Sequence, residues 1–195
     1  MTAEGSNAKE FIGVDKECLT WSYRGLRIVE LLHGMNTDLL CVEECDQSEF
    51  LTKYLSSTYE CYHQPKDKAP ARHVMTQFQE ERKDALPPDF KLNNDGIFLA
   101  FKKDKFEKIG SVIRIKDSEN EHHVVGLALH LREKQSGKNN EFVIVGTHLK
   151  SEKSEEGEQI RQKQVRWLLD HFSNIRLPII LACDLNANPK VKTIV

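Results

Sequence analysis

An aspartate and an asparagine, Asp184 and Asn186, stand two residues apart after the apolar run 177–182. In an extended strand, side chains two residues apart point to the same side, so this carboxylate and this amide can act together. Oxygen donors of this kind hold hard divalent cations and phosphate oxygens. The pattern predicts a site for phosphate chemistry at the end of the last strand, and such a site needs partners from elsewhere in the chain.

Acidic residues are crowded at a second strand end. Glu43, Glu44 and Asp46 directly follow the short apolar run 39–42. Carboxylates this close repel one another unless a positive charge lies nearby, and a divalent cation would supply it. The alternative is a solvated loop in which Asp46 caps a helix, with Glu49 completing a capping box.

Polar residues also occur at other candidate positions. Asp95 precedes Gly96 in a segment that is either functional or only a tight turn. His148 ends an apolar strand, where an imidazole either donates to a phosphoryl oxygen or serves the structure alone. Arg161 and Gln164 lie one helical turn apart, so they orient loop residues, bind an anion, or face solvent.

The elements that position these residues follow from apolar periodicity. Helical spacing predicts helices at 16–33 and 158–173, and a short helix that opens at Asp46. Residues 63–94 are polar and contain four prolines, which predicts a long functional or disordered loop. The whole order predicts an α+β layered domain. Apolar runs predict strands at 39–42, 97–101, 106–115, 122–131, 142–147 and 178–182, of which the middle four form an antiparallel meander.

Composition narrows the class of protein. The formal net charge of -2 over 195 residues excludes a broadly basic nucleic-acid wrapper, and the first ten residues are polar and expected to be flexible. Five cysteines without a CxxC motif indicate a reducing compartment, and Cys41 and Cys183 lie in apolar runs as expected for small core residues. No apolar run has the ~18 residues that a membrane span needs. We therefore expect an intracellular protein, cytoplasmic, or mitochondrial where a targeting segment precedes this sequence.

In chain order, these motifs resemble the endonuclease/exonuclease/phosphatase superfamily. Within it the chain is similar to the nocturnin and carbon-catabolite-repressor deadenylase branch, and the likeness covers about residues 11 to 190. The segments that resemble this branch in particular are 21–24, 36–41, 62–66 and 147–150.

The resemblance implies both a fold and a reaction. The fold is a four-layer α/β sandwich of two packed mixed β-sheets flanked by helices, here a partial domain over 11–195 that is incomplete at both ends, with a polar insertion at about 63–94. The reaction is hydrolysis of phosphate esters that depends on Mg²⁺, or on Mn²⁺, away from any membrane. The substrate is either NADP(H), by loss of its 2′-phosphate, or a poly(A) RNA tail, by 3′-to-5′ cleavage. For the RNA, Tyr59, Tyr62 and the lysines of 66–83 are candidate contacts.

The resemblance also assigns roles to residues. Glu44 matches the glutamate that ligates the metal. Asp184 matches the aspartate that positions or activates the attacking water, Asn186 the asparagine that contacts phosphate or metal, and His148 the histidine that steadies the scissile phosphate. The candidates for substrate binding are Lys66, Asp95, Arg161 and Gln164.

The chain departs from the family pattern in several ways. Glu43 replaces a glutamine, and Cys183 replaces a glycine, where an added side chain could displace Asp184. The family's first strand, with a metal-binding asparagine, and its last strands, with an Asp-His pair, have no match in these 195 residues. We therefore expect the 195-residue chain alone to be inactive and its full-length form to be the enzyme. The alternative is a non-catalytic module that keeps the fold and binds RNA or a protein.

Overall fold

A computed structural model describes Asp15, Cys18 and the segments 20–67, 94–135 and 140–187. The helices are α1 (Trp21–Met35), α2 (Ser48–Leu55) and α3 (Glu155–His171), with a short 3₁₀ helix at Asp117–Glu119. The strands are β1 (Leu39–Val42), β2 (Tyr59–Pro65), β3 (Gly96–Lys102), β4 (Phe106–Ile115), β5 (Gly126–Glu133), β6 (Glu141–His148) and β7 (Ile179–Asp184).

The strands form two sheets. The first sheet has the order β1-β3-β2 and is antiparallel throughout. The second has the order β4-β5-β6-β7, and β7 runs parallel to β6 while the other pairs are antiparallel. Because β7 runs parallel to β6, the carboxyl ends of both strands lie at the same edge of the sheet.

Alternating side chains divide the core into layers. On β3, Phe98 and Ala100 pack against α1 and α2, whereas Ile97, Leu99 and Phe101 face the second sheet. The second sheet contributes Leu127, Leu129, Leu131 and Ile144 to that inter-sheet core, and Ala128, Val143 and Val145 to the core beneath α3. The order helix, sheet, sheet, helix confirms the predicted α+β sandwich of two sheets flanked by helices.

The first helix shows how local sequence determines an element. Trp21, Gly25, Val29 and Leu32 are buried at the spacing of one helical face. The helix begins later than predicted and continues past Gly34 to Met35. It ends where Asn36 adopts a left-handed conformation with φ 49°.

Several predicted elements need correction. The short helix begins at Ser48 with Gln47 in the cap position, so Asp46 is not its cap. The strand expected at 122–131 starts only at Gly126, after the 3₁₀ turn. The predicted meander loses its first strand, because β3 pairs with β1 and β2 in the other sheet.

The predicted loop at 63–94 also begins too early. Its first three residues belong to β2, which pairs along its whole length with β3. The core of the predicted insertion, 68–93, and the first ten residues lie outside the described residues. Within the part of the chain that is described, no helix has both the length and the apolar character needed to cross a bilayer.

Candidate active site

The carboxyl ends of β6 and β7 bring two predicted site residues together. His148 and Asp184 are register partners at the last position of these parallel strands. Just beyond them, the Leu149 main-chain N–H donates to the Asp184 carbonyl oxygen at 3.1 Å. The strand pairing therefore holds the predicted histidine and aspartate side by side.

Asn186 completes this group. Its backbone turns into the left-handed region at φ 49°, and its N–H donates to Asp184 Oδ1 at 2.8 Å. Its side-chain Nδ2 lies 2.7 Å from His148 Nε2 and donates to the Leu149 carbonyl oxygen at 3.0 Å. The asparagine is thus bonded to both neighbours, which joins the three predicted catalytic residues into one hydrogen-bonded unit.

This geometry determines the tautomer of His148. An amide nitrogen is only a donor, so His148 Nε2 accepts and the ring proton lies on Nδ1. Nδ1 is buried and has no hydrogen-bond partner among the described residues. Both hydrogens of the Asn186 amide are engaged, so its remaining polar group is the Oδ1 acceptor.

Helix α3 supports the loop that follows His148. Gln164 Oε1 accepts from the Lys150 N–H at 3.0 Å, and Arg161 Nη1 donates to the Lys150 carbonyl oxygen at 2.9 Å. Arg161 and Gln164 were expected either to orient loop residues or to bind an anion. Both are 4% exposed and bond to the protein's own main chain, so substrate contact by either stays a prediction.

The first sheet presents the acidic loop that follows β1. Glu44 is exposed and has φ 52°, a left-handed conformation that a non-glycine residue adopts only at a cost of about 1–3 kcal/mol. The next residue is fixed on both sides: the Cys45 N–H donates to the Gly96 carbonyl oxygen at 2.9 Å, and its own carbonyl oxygen lies 2.9 Å from His63 Nε2. Burial lowers the pKa of His63. These contacts hold Glu44 outward at the end of β1.

Two predicted substrate-binding residues contact each other. Lys66 Nζ lies 2.6 Å from Asp95 Oδ2, and the Lys66 main-chain N–H donates to the Asp95 carbonyl oxygen at 2.8 Å. Asn94 Nδ2 donates to the Lys66 carbonyl oxygen at 3.0 Å. The pairing of β2 with β3 therefore brings these two sequence-distant residues together, and their charges offset each other.

The two sheets are in contact through the Cys41 side chain, an interaction that was not predicted from the sequence. Cys41 Sγ lies 3.4 Å from Glu43 Oε1 and 3.7 Å from the Ala182 carbonyl oxygen, which links β1 to β7. Burial, followed by the charges of Glu43 and Asp184, raises the pKa of the Cys183 thiol to about 12. These cysteines are free thiols, as expected of small core residues.

Cys183, at the family's glycine position, does not disturb the strand. Its side chain packs into the core beneath α3, on the other side of the sheet from the inter-sheet layer. The register of Thr147 with Cys183 and of His148 with Asp184 is regular. Asp184 therefore keeps its place beside His148.

The described residues do not by themselves complete a metal site. In the segments 20–67, 94–135 and 140–187, no three histidine, cysteine, aspartate or glutamate side chains form a group that could hold an ion. Mg²⁺ is held in proteins through one or two carboxylates and keeps several waters, so the exposed Glu44 carboxylate matches one such ligand in type.

Comparison with known proteins finds relatives that share less than a third of their residues with this chain. No protein-family model matches the chain. Nocturnin from Drosophila melanogaster is 28% identical over 191 residues, which are 95% of this chain and 27% of that protein. Human nocturnin is 29% identical over 196 residues, covering 96% of this chain and 41% of that protein. The chain therefore spans less than half the length of these curated relatives.

Solved structures share the fold. The human nocturnin catalytic domain with bound sulfate anion matches with a TM-score of 0.67 and 24% identity, covering 89% of this chain and 60% of that one. The chain resembles the nocturnin branch of the endonuclease/exonuclease/phosphatase superfamily in sequence and shares the fold of the nocturnin catalytic domain. ANGEL2, a 2′,3′-cyclic phosphatase, matches with a TM-score of 0.64 and 19% identity, covering 92% of this chain and 49% of that one.

Proposed function

We propose that the full-length protein is a nocturnin-like hydrolase of phosphate esters. The observation that carries the proposal is the hydrogen-bonded unit of His148, Asp184 and Asn186 at one edge of the second sheet. The relatives support it: the nocturnin domain binds sulfate, a tetrahedral anion like phosphate, and ANGEL2 is a phosphatase.

Each residue of this unit has a distinct task. Asp184 is exposed and charged, and the Asn186 N–H on its Oδ1 fixes the carboxylate so that it can orient an attacking water. Asn186 faces the phosphate as a donor once its amide exchanges the bond to His148 Nε2 for a bond to a phosphate oxygen, and the freed Nε2 donates to the phosphate after it takes up a proton from solvent. The asparagine is thus the group that must change partners when substrate arrives.

The structure favours a small substrate over an RNA chain. Single-stranded RNA binding requires a basic groove with exposed aromatic rings on which bases stack. Tyr59 is 1% exposed and donates to the Thr37 carbonyl oxygen, whereas Tyr62 stacks on Phe101 with ring centroids 6.3 Å apart. Lys66 is already paired with Asp95. Tyr59 is therefore closed to a base and Tyr62 has one ring face covered, so these two candidates give little support to RNA binding, and we favour the 2′-phosphate of NADP(H) as the target.

Assays on the full-length protein separate the two substrates. We expect inorganic phosphate release from NADP⁺ and NADPH at a much higher kcat/KM than adenylate release from an A-rich oligonucleotide. The reverse order would identify a deadenylase instead. Hydrolysis of neither substrate, together with RNA binding or capture of a protein partner, would refute the proposal in favour of the non-catalytic module.

We further propose that Glu44 ligates Mg²⁺, with Mn²⁺ as the alternative ion. Glu44→Gln removes the carboxylate charge from the turn after β1, and Glu156→Gln makes the same change at an exposed position of α3. Calorimetric titration of each full-length variant with Mg²⁺ measures binding without reference to turnover. Binding should be lost in Glu44→Gln and kept in Glu156→Gln. Equal binding by both variants would exclude Glu44 and make Glu43 the candidate.

A further inference from the structure

The segment His148–Lys150 is held on one side by β7 and the turn that follows it. The Leu149 N–H donates to the Asp184 carbonyl oxygen at 3.1 Å, and the Leu149 carbonyl oxygen accepts from Asn186 Nδ2 at 3.0 Å. The same Nδ2 lies 2.7 Å from His148 Nε2. The position of His148 against Asn186 therefore depends on where this short segment lies.

Helix α3 holds the opposite side of the segment. Both main-chain polar groups of Lys150 are bonded to it, the N–H to Gln164 Oε1 at 3.0 Å and the carbonyl oxygen to Arg161 Nη1 at 2.9 Å. Arg161 Nη1 also donates to the Glu152 carbonyl oxygen at 2.7 Å. One guanidinium thus bridges two carbonyl groups of the same loop.

These two side chains are themselves held rigidly. Arg161 Nε and Nη2 lie 3.0 and 2.8 Å from Glu158 Oε2, which fixes the plane of the guanidinium. Gln164 Nε2 donates to the His122 carbonyl oxygen at 3.1 Å, which fixes the orientation of its amide. The loop also packs directly on α3, because a Cβ at Gly157 would lie 2.3 Å from the Glu152 carbonyl oxygen.

We infer that Arg161 and Gln164 are positioning residues, which hold His148 in the geometry that Asn186 requires and do not contact substrate. Arg161 Nη1 and Gln164 Oε1 bond to the loop, the other polar atoms of both side chains bond to the protein itself, and both residues are 4% exposed, so their effect on His148 passes through the Lys150 main chain. The consequence for catalysis rests on the proposed function, whereas the effect on His148 does not.

Two variants test the inference in the full-length protein. Arg161→Lys keeps a positive charge beside Glu158 but replaces the planar guanidinium with a single ammonium group. Gln164→Met keeps the length of the side chain and removes both of its hydrogen bonds. The control is Arg166→Gln, at an exposed position on the same helix.

Nitrogen-15 NMR of the His148 ring is the first readout, because it reports the tautomer without reference to turnover. Wild type and control should show the Nδ1–H form with Nε2 accepting a hydrogen bond. Both test variants should lose that signature. In turnover, kcat should fall up to about 10²-fold with KM within about twofold of wild type, as expected of misplacement rather than lost binding.

Unchanged His148 signals in both variants would overturn the inference, as would a rise in KM at constant kcat. If the wild type hydrolyses nothing while the His148 signature changes in both variants, the proposed function fails and the positioning role stands. If the wild type is active and both variants match it in spectrum and rate, the positioning role fails alone.

Discussion

Replacing Gly146 with alanine tests how closely the two sheets pack beneath the site. Gly146 lies on β6, two residues before His148, at the inter-sheet face. A Cβ there would lie 2.7 Å from Ile97 Cγ2, 3.0 Å from Cys41 Sγ and 3.0 Å from Leu99 Cδ2. Ile97 and Leu99 are 0% and 1% exposed, so neither side chain can move into solvent.

The contact distances give the size of the effect. An extra methyl group forced into a closed core costs about 1–3 kcal/mol of the free energy of unfolding. In a protein of 150–250 residues, each kcal/mol shifts the Tm by about 2–4 °C, so Gly146→Ala should lower the Tm by about 2–12 °C. Gly34→Ala is the matched control, because nothing lies within 4 Å of its added Cβ. That change removes a helical glycine near the end of α1 and should raise stability by up to about 1 kcal/mol.

The assay is thermal and urea unfolding of wild type and both variants under the same conditions. The same substitution is expected to act with opposite signs at the two positions. The packing argument would be refuted if Gly146→Ala were as stable as wild type, or if both variants lost stability equally.

Three further outcomes follow from the site. Burial raises the pKa of the Cys45 and Cys183 thiols from 9.0 to about 12. The free energy of unfolding that these neutral thiols contribute is therefore fully present below about pH 9 and is lost as pH rises through 12, because the unfolded chain loses these protons first. Urea unfolding should show lower stability at about pH 10 than at about pH 8, and equal stability would contradict this. Asp95→Asn should cost about 1 kcal/mol at low salt and less at high salt, measured by urea unfolding, because Lys66 loses its counter-charge; a loss independent of salt would contradict this. Cys183→Gly should keep or raise activity and lower stability by about 1 kcal/mol, since the side chain packs beneath α3; loss of turnover would contradict it.

Local pattern predicted the elements whose periodicity comes from one buried face. The stripe of α1 and the bounds of β1 and β4 are of this kind. Strand pairing was harder to predict from the sequence. Whether β3 pairs with β4, or with β1 and β2 as observed, depends on contacts between residues far apart in sequence. β2 was not predicted, because its polar residues and the proline at its end, Pro65, form a pattern that is typical of a loop.

Some features of the candidate site could likewise be predicted from the sequence and others could not. The sequence predicted His148 and Asp184 at strand ends, but the parallel pairing of β6 with β7, which brings them together at one edge, is seen only in the structure. The bond from Asn186 to His148 depends on a left-handed turn that no residue pattern specified. Similarly, the contact of Lys66 with Asp95 arises from pairing across 29 residues of sequence.

The rate of phosphate release from NADPH by full-length Asp184→Asn tests the central claim most directly. The change is nearly isosteric and keeps an oxygen for the Asn186 N–H, but it removes the charge that orients the water. Turnover at saturating substrate should fall about 10²–10⁴-fold at an unchanged Tm, while Asp170→Asn, at an exposed position of α3, should match wild type. A wild-type rate in Asp184→Asn would contradict the assignment of the site.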